Sequence, residues 1–358
     1  MRTSLKDVAA RAGVSVRTVS NVVNGSASVS ERTRERVQRA LDELGYRPNL
    51  AARSLRAGRT GLVGLVIPEL HSPYFGELAG LVVEAAQRRS WTVIIDQTHG
   101  RADEERRLLE GTHAPIVDGL IISPWALGAE ELAERAGATP MVLLGERDPG
   151  RLADHVAVDN VLAADEATRH LLDAGRRRIA AVGPQPGLRN GTAEQRLAGY
   201  RRALRRAGVT PDPALEVPVP TLHRAAGARA MARLLDGGGP VPDAVFAFSD
   251  ELALGVLLVA RERGIGVPED LAVVGFDDIE DGRYANPSLT TVSPDKAQIA
   301  ERALQCLADR VYSPGAAVPP QRITVPHRLV ARESTGHARS PEGTGSADRV
   351  GGARSGGV

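Results

Sequence analysis

The chain has 358 residues, 25% charged and 42% hydrophobic, with 45 Lys/Arg against 44 Asp/Glu and a formal net charge of +1. Ordinary domains run roughly 100–200 residues, so two or three units are expected. No apolar stretch reaches the roughly 20 residues of a membrane span and MRTSLKDVAARAG lacks an apolar signal-peptide core, which points to a cytoplasmic protein with no membrane partner; the single Cys306 excludes an intrachain disulfide and a multi-cysteine zinc site and reads as a small core residue.

The near-neutral balance conceals an asymmetry. Residues 1–59 carry 12 Lys/Arg against 5 Asp/Glu, a net +7, whereas residues 60–358 carry 33 against 39, a net −6. A basic head on an acidic body suggests that the head meets a polyanion, although charged helices are more often only solvated faces.

Leu5, Val8, Ala9 and Ala12 recur at helical spacing, and Gly13 stops the run. Ser15 can cap a second helix, in which Val19, Val22 and Val23 face inward while Val16, Arg17, Ser20 and Asn21 point out. Two short helices around a Gly turn make a helix-turn-helix. Ser30 can cap a third helix, whose Val37, Leu41 and Leu44 complete a three-helix core before Gly45 and Pro48 end it. Alone, this also describes a small helical bundle with no ligand. Next comes NLAARSLRAG, with an Asn49 cap, a Gly58 stop and only about eight helix-compatible residues, too few to be stable alone in water. It must pack on something, and DNA is the expected partner.

Taken together, LKDVAARAGVSVRTVSNVVNG, VSERTRERVQRALDELGYRPN and AARSL resemble the LacI/GalR family of bacterial regulators, over residues 4 to about 333. The resemblance implies a homodimer whose second helix enters the major groove at each half-site of a near-palindromic operator in double-stranded DNA. The family's base-reading positions fall on Val16, Arg17 and Asn21. Arg17 suits the O6/N7 edge of guanine, Asn21 an adenine and Val16 a thymine methyl. Where this chain has Asn21 the family often has Arg or His, so the operator sequence is not inherited with the resemblance. Thr18, Ser20, Asn24 and Ser30 are assigned to phosphate. Leu55 matches the family's hinge leucine, which wedges into the central minor groove, with Ala52 and Arg56 beside it. The alternative for Leu55 is a contact within the protein.

From Leu62 onward, short β-rich runs (LVGLVI, TVIID, GLIIS, RIAAVG, DAVFAFS, LAVVGFD) alternate with amphipathic helical stretches, one of them near 103–111. This is the rhythm of βαβ units and parallel sheets. The fold class is therefore α/β. A three-helix headpiece (1–48) and hinge helix (49–59) precede a two-lobed domain (60–333) resembling periplasmic binding proteins, with crossings near 160, 290 and 322. Residues 334–358 are Gly/Ser-rich without apolar period and are expected to be a disordered tail.

Ligands in such folds bind at strand carboxyl ends, in the cleft between halves. Tyr74 and Phe75 follow the first strand, where one of them is as readily a core residue. Arg196 and Asp277 match effector-binding positions of the family and are expected to face each other across the cleft, as a ligand clamp or as a salt bridge between the halves. Ser249 stands where sugar-binding relatives often have Asn, and Leu222 where purine binders have an aromatic. Trp125 can stack on a pyranose ring or fill core or rim.

No G-x-G-x-x-G follows the first strand, and no G-x-x-x-x-G-K-[ST], H-E-x-x-H or G-x-S-x-G occurs, which argues against an enzyme on the same α/β halves. The eight histidines are scattered without metal-site spacing, so neither metal nor cofactor is expected. The reading is a dimeric repressor of a sugar-utilisation operon, released from its operator by a sugar or sugar derivative. The alternatives are a nucleobase, nucleoside or other effector, or action by co-repression or activation.

Overall fold

The computed structural model describes residues 3–23, 29–46, 59–109, 116–136, 139–146, 150, 152–186, 191–313 and 319–336. Asn24 and the hinge residues Ala52, Leu55 and Arg56 lie outside them. The chain divides into two compact units, Met1–Gly61 and Leu62–Val358.

Among the described residues the first unit holds three helices, Leu5–Ala12, Val16–Val23 and Glu31–Glu43. Ser4 opens the first with a reciprocal capping box to Asp7, and Gly13 closes it at φ 61°, a left-handed conformation that a Cβ would strain. Ser15 Oγ accepts from Thr18 N at 3.1 Å, the cap expected for the second helix. Ser30 occupies the cap position of the third, but its hydroxyl bonds the Thr33 hydroxyl at 3.0 Å rather than a backbone N–H. Val8, Ala9, Ala12, Val19, Val22, Val37, Ala40 and Leu41 form the core, with Leu5, Val23 and Leu44 partly buried around it.

The second unit contains two six-stranded sheets. The first has the order β11-β5-β4-β3-β1-β2, with β1 Leu62–Ile67, β2 Thr92–Gln97, β3 Gly119–Ile122, β4 Met141–Leu144, β5 Asp154–Val158 and β11 Arg322–Val325, all paired parallel. The second has the order β12-β10-β9-β8-β6-β7, with β6 Ile179–Val182, β7 Glu216–Val217, β8 Ala244–Ala247, β9 Ala272–Phe276, β10 Thr290–Pro294 and β12 His327–Val330. Among the described strands only the β10–β12 pair there is antiparallel. The central strands are buried along their whole length, as parallel strands covered on both faces must be. The chain passes between lobes at the helix Asn160–Asp173, after Pro294 into the helix Lys296–Tyr312, and at Pro326. The packed chain also runs past the expected boundary at 333. Glu333–Thr335 forms a 3-10 turn in which Ser334 is buried and donates to Val273 O at 2.6 Å, so ordered packing extends to Gly336.

Candidate functional site

On the second headpiece helix, Val19 and Val22 are buried and the opposite face is open. Val16 is 40% exposed, Arg17 is exposed, and Thr18, Ser20 and Asn21 are half-buried. Arg17 has no ion-pair partner among the described residues, leaving its guanidinium fork available to an external acceptor. Ser30 is exposed at the start of the third helix, where backbone N–H groups and the helix dipole favour an anion.

In the second unit a cavity of about 270 Å³ opens between the lobes, at the carboxyl ends of β1, β3, β4, β6, β8 and β9. Tyr74, Phe75, Trp125, Arg196, Ser249 and Asp277 all line it. Their arrangement differs from the sequence expectation in two respects. Arg196 and Asp277 do not face each other across the cleft: both belong to the second lobe, on the helix Thr192–Arg206 and at the end of β9, with Arg196 Nη2 3.7 Å from Asp277 Oδ1. They are neither an interlobe clamp nor an interlobe salt bridge. Spacing along the chain could not show this, because the order of strands decides which lobe each residue joins. Ser249 reaches the cavity wall, but its hydroxyl donates to Leu222 O at 2.7 Å and accepts from Leu252 N at 3.1 Å. It caps the helix Asp250–Glu262 and is not a free ligand donor.

Arg196 is 7% exposed and fixed on several sides. Its Nε donates to Asn160 Oδ1 at 2.8 Å, its Nη1 to Phe248 O, and its guanidinium lies 3.5 Å above the centre of the Phe276 ring. The 3.7 Å gap from Nη2 to Asp277 is too long for a direct hydrogen bond. A ligand hydroxyl beside the pair can accept from Nη2 and donate to the carboxylate. Asp277 has φ 113° and Asp278 φ 50°, so the strand exit holds two consecutive residues in backbone conformations that L side chains rarely adopt. Such strain concentrates at ligand sites, where surrounding structure enforces it. Here Lys296 donates to both the Asp277 and Asp278 carbonyls at 2.9 Å, and Arg332 to Asp278 Oδ1 at 2.6 Å. Gln185 was not anticipated from sequence. It is 6% exposed, and its Oε1 has no hydrogen-bond partner among the described residues, an acceptor left for a ligand.

Burial pushes the Asp277 carboxyl up to about 7, against the pull of Arg196 and Lys296. Between the ordinary carboxylate range and that value the folded chain holds a proton that the unfolded chain has released. Effector-free stability is therefore lost as pH rises from about 4 to about 7 through this residue. Asp277→Asn, which cannot ionise, should gain on the wild type by several degrees in Tm between pH 5 and pH 8. Parallel melting curves across that range would show that the carboxyl titrates normally.

The opposite wall is aromatic and belongs to the first lobe. Phe75 meets Tyr74 edge-on at 5.1 Å and Trp125 edge-on at 6.0 Å between ring centroids. Burial raises the Tyr74 phenol far above its usual range, so it stays neutral as donor and acceptor. The loop carrying Trp125 is anchored by a residue the sequence reading passed over. Glu105 is fully buried, and its carboxylate accepts from the backbone N–H of Trp125 at 2.8 Å, Ala126 at 3.1 Å and Leu127 at 2.8 Å. Glu105→Gln puts a donor among those three donors. Each hydrogen bond to a charged group is worth roughly 1.5–3 kcal/mol, so a loss of about that size in unfolding free energy is expected, together with a change in Trp125 fluorescence. Unchanged melting and emission would remove the anchor.

The lobes are joined across the cleft mouth by polar contacts. Glu146 accepts from Asn160 Nδ2 at 2.6 Å and from Thr192 Oγ1 at 2.5 Å, and Lys296 pairs with Glu77 while holding the Asp277 carbonyl. Folding also gathers histidines that look scattered in sequence. His71 and His223 stand with ring centroids 5.3 Å apart, beside Glu69.

The comparisons accord with this geometry. Residues 4–49 match the family model "Bacterial regulatory proteins, lacI family", and residues 168–335 match a periplasmic binding protein-like domain. The chain is 35% identical to the HTH-type transcriptional regulator DegA of Bacillus subtilis, over 94% of this chain and 98% of that protein. Among solved structures, the transcriptional regulator CelR in complex with cellobiose is 35% identical with a TM-score of 0.68, over 93% of this chain and 100% of that one. The lac repressor dimer bound to operator and an anti-inducer is 27% identical with a TM-score of 0.80, over 94% and 99%. No helix among the described residues is long and apolar enough to cross a membrane.

Proposed function

The chain belongs to the lacI family of bacterial regulatory proteins and is a DNA-binding transcription regulator, not an enzyme; from that premise we propose that it is a cytoplasmic homodimeric repressor of a sugar-utilisation operon, released from a near-palindromic operator when a sugar or sugar derivative occupies the cleft. The observation that carries the effector class is the cavity's two-sidedness. Phe75 and Trp125 offer the apolar faces on which a pyranose ring stacks, while Arg196, Asp277 and Gln185 Oε1, which has no partner among the described residues, offer directional partners for its hydroxyls. Leu222, in the same wall, provides no plane on which a purine could stack. CelR, similar over almost the whole chain, was solved with a disaccharide.

Coupling follows from differential binding. A ligand that touches both walls favours the closed arrangement of the lobes, and it shifts DNA affinity by the free-energy difference it makes between the states. Val16, Arg17 and Asn21 read bases in the major groove, Thr18, Ser20, Asn24 and Ser30 hold phosphate, and Leu55 with Ala52 and Arg56 enters the minor groove. A thermal-shift screen of sugars, nucleosides and nucleobases tests the effector class, since a ligand at 100 times its Kd adds about 2.7 kcal/mol of stability. The hit is then added to a gel shift on an operator selected from random DNA. Stabilisation by a sugar that also releases DNA is the expected result. Stabilisation by a nucleoside alone would overturn the sugar assignment, and tighter DNA binding would overturn release.

A further inference from the structure

Glu69 and His71 follow β1 in the first lobe, and His223 precedes the helix Arg224–Asp236 of the second. One ligand atom from each, a Glu69 oxygen and a ring nitrogen of each histidine, lies within 4.8 Å of the other two. His223 Nε2 is 2.9 Å from Glu69 Oε2, and His71 Nε2 is 3.9 Å from the same oxygen. The shorter approach is not a hydrogen bond: Glu69 Oε2 is shielded from solvent and has no hydrogen-bond partner among the described residues. On the far side of the ring, His223 Nδ1 lies 2.9 Å from Glu251 Oε2. That contact fixes the ring and turns Nε2 toward Glu69 and His71. Two ring nitrogens and a carboxylate oxygen thus converge on one point, a donor set that suits a cation.

We propose that Glu69, His71 and His223 bind one divalent transition-metal ion of the zinc class, which ties the first lobe to the second at the cavity rim. The donor set of two imidazoles and one carboxylate suits zinc, and three protein ligands leave a fourth position open. Tetrahedral bonds of 2.0–2.1 Å place ligand atoms about 3.3 Å apart, so the present separations need only small side-chain adjustments. Glu251 is the positioning residue, orienting His223 through Nδ1. Glu69 and His223 both line the cavity, so the open position adjoins the space where an effector hydroxyl would sit. Because the ligands come from both lobes, the ion favours the closed cleft. It acts whether or not the effector is a sugar.

The test uses the full chain stripped with EDTA and free of effector, titrated with zinc chloride and separately with magnesium chloride by calorimetry and thermal shift. One zinc per chain should bind and raise Tm, while magnesium does neither. His71→Ala and His223→Gln should each weaken zinc binding about tenfold or more. His71 is 67% exposed, so its variant keeps the fold and is the cleaner comparison. Glu251→Gln should lower zinc affinity without changing the stoichiometry. Zinc binding that survives unchanged in the His71 and His223 variants would place the ion elsewhere and overturn the proposal. So would an absence of specific binding, with stability at this site responding to pH alone, since a proton would then bridge Glu69 and His223. No effector enters the measurement, so either failure leaves the sugar reading untouched.

Discussion

Replacing Arg196 by methionine is expected to abolish the effector response, leave operator binding by the unliganded protein intact, and lower stability by roughly 2–4 kcal/mol. Methionine keeps much of the apolar stem that packs against Phe276 but removes every donor. Asn160 Oδ1 and the Phe248 carbonyl then lose their guanidinium partner in a buried site. Asp277 loses one of its two cations and keeps Lys296, so that loss is bounded. Burial already holds its carboxyl near 7, so it takes up a proton rather than remain charged. The headpiece has its own core, which explains why DNA binding survives. Gel shifts with the identified effector and denaturant titrations of the same preparation check both halves of the expectation. A variant as stable as the wild type and still released by effector would reduce Arg196 to a bystander on the cavity wall.

Legibility in the sequence followed the range of the interactions involved. The headpiece could be read almost residue by residue, because a helix encodes its buried face within a few turns and its ends in single residues such as Gly13 and Ser15. Ser30 shows the limit: the position was right, but a neighbouring Thr33 diverted the hydroxyl. In the body, β1, β2, β3, β6, β8 and β9 stood out as strand runs, while β5 and the crossing strands β10–β12 did not. β5 holds the buried Asp154, and β11 and β12 mix exposed or polar residues with buried and half-buried ones, so none reads as a continuous apolar strand. Arg196, Asp277 and Ser249 were identified by their match to positions in relatives, and Tyr74, Phe75 and Trp125 as aromatics near strand ends, which carries type and place along the chain but not partnership. That Arg196 and Asp277 share a lobe, that Ser249 is a cap, that Glu105 anchors the Trp125 loop and that Glu69 meets His223 all depend on chain crossings. Such contacts leave no periodic trace in sequence.

Arg17→Ala is expected to weaken operator binding by roughly 2–6 kcal/mol, or about 30-fold to 25,000-fold, and to relax base preference at one symmetric pair of operator positions. The size follows from symmetry. A bidentate contact to guanine is worth about 1–3 kcal/mol of discrimination, and a dimer makes it once in each half-site. The fold should not suffer, because Arg17 is exposed on the open face of its helix, has no ion-pair partner among the described residues, and gives way to the residue with the highest helix propensity. Ser30→Ala provides the contrast. Ser30 is exposed at a helix start and its hydroxyl engages only Thr33 among the described residues, so its loss should weaken binding to all sequences alike. Selection of bound sites from randomised DNA, carried out at one fixed salt concentration, separates the two behaviours. The wild-type operator recovered unaltered by Arg17→Ala, with affinity reduced equally for every sequence, would assign Arg17 to phosphate and leave base recognition to Val16 and Asn21.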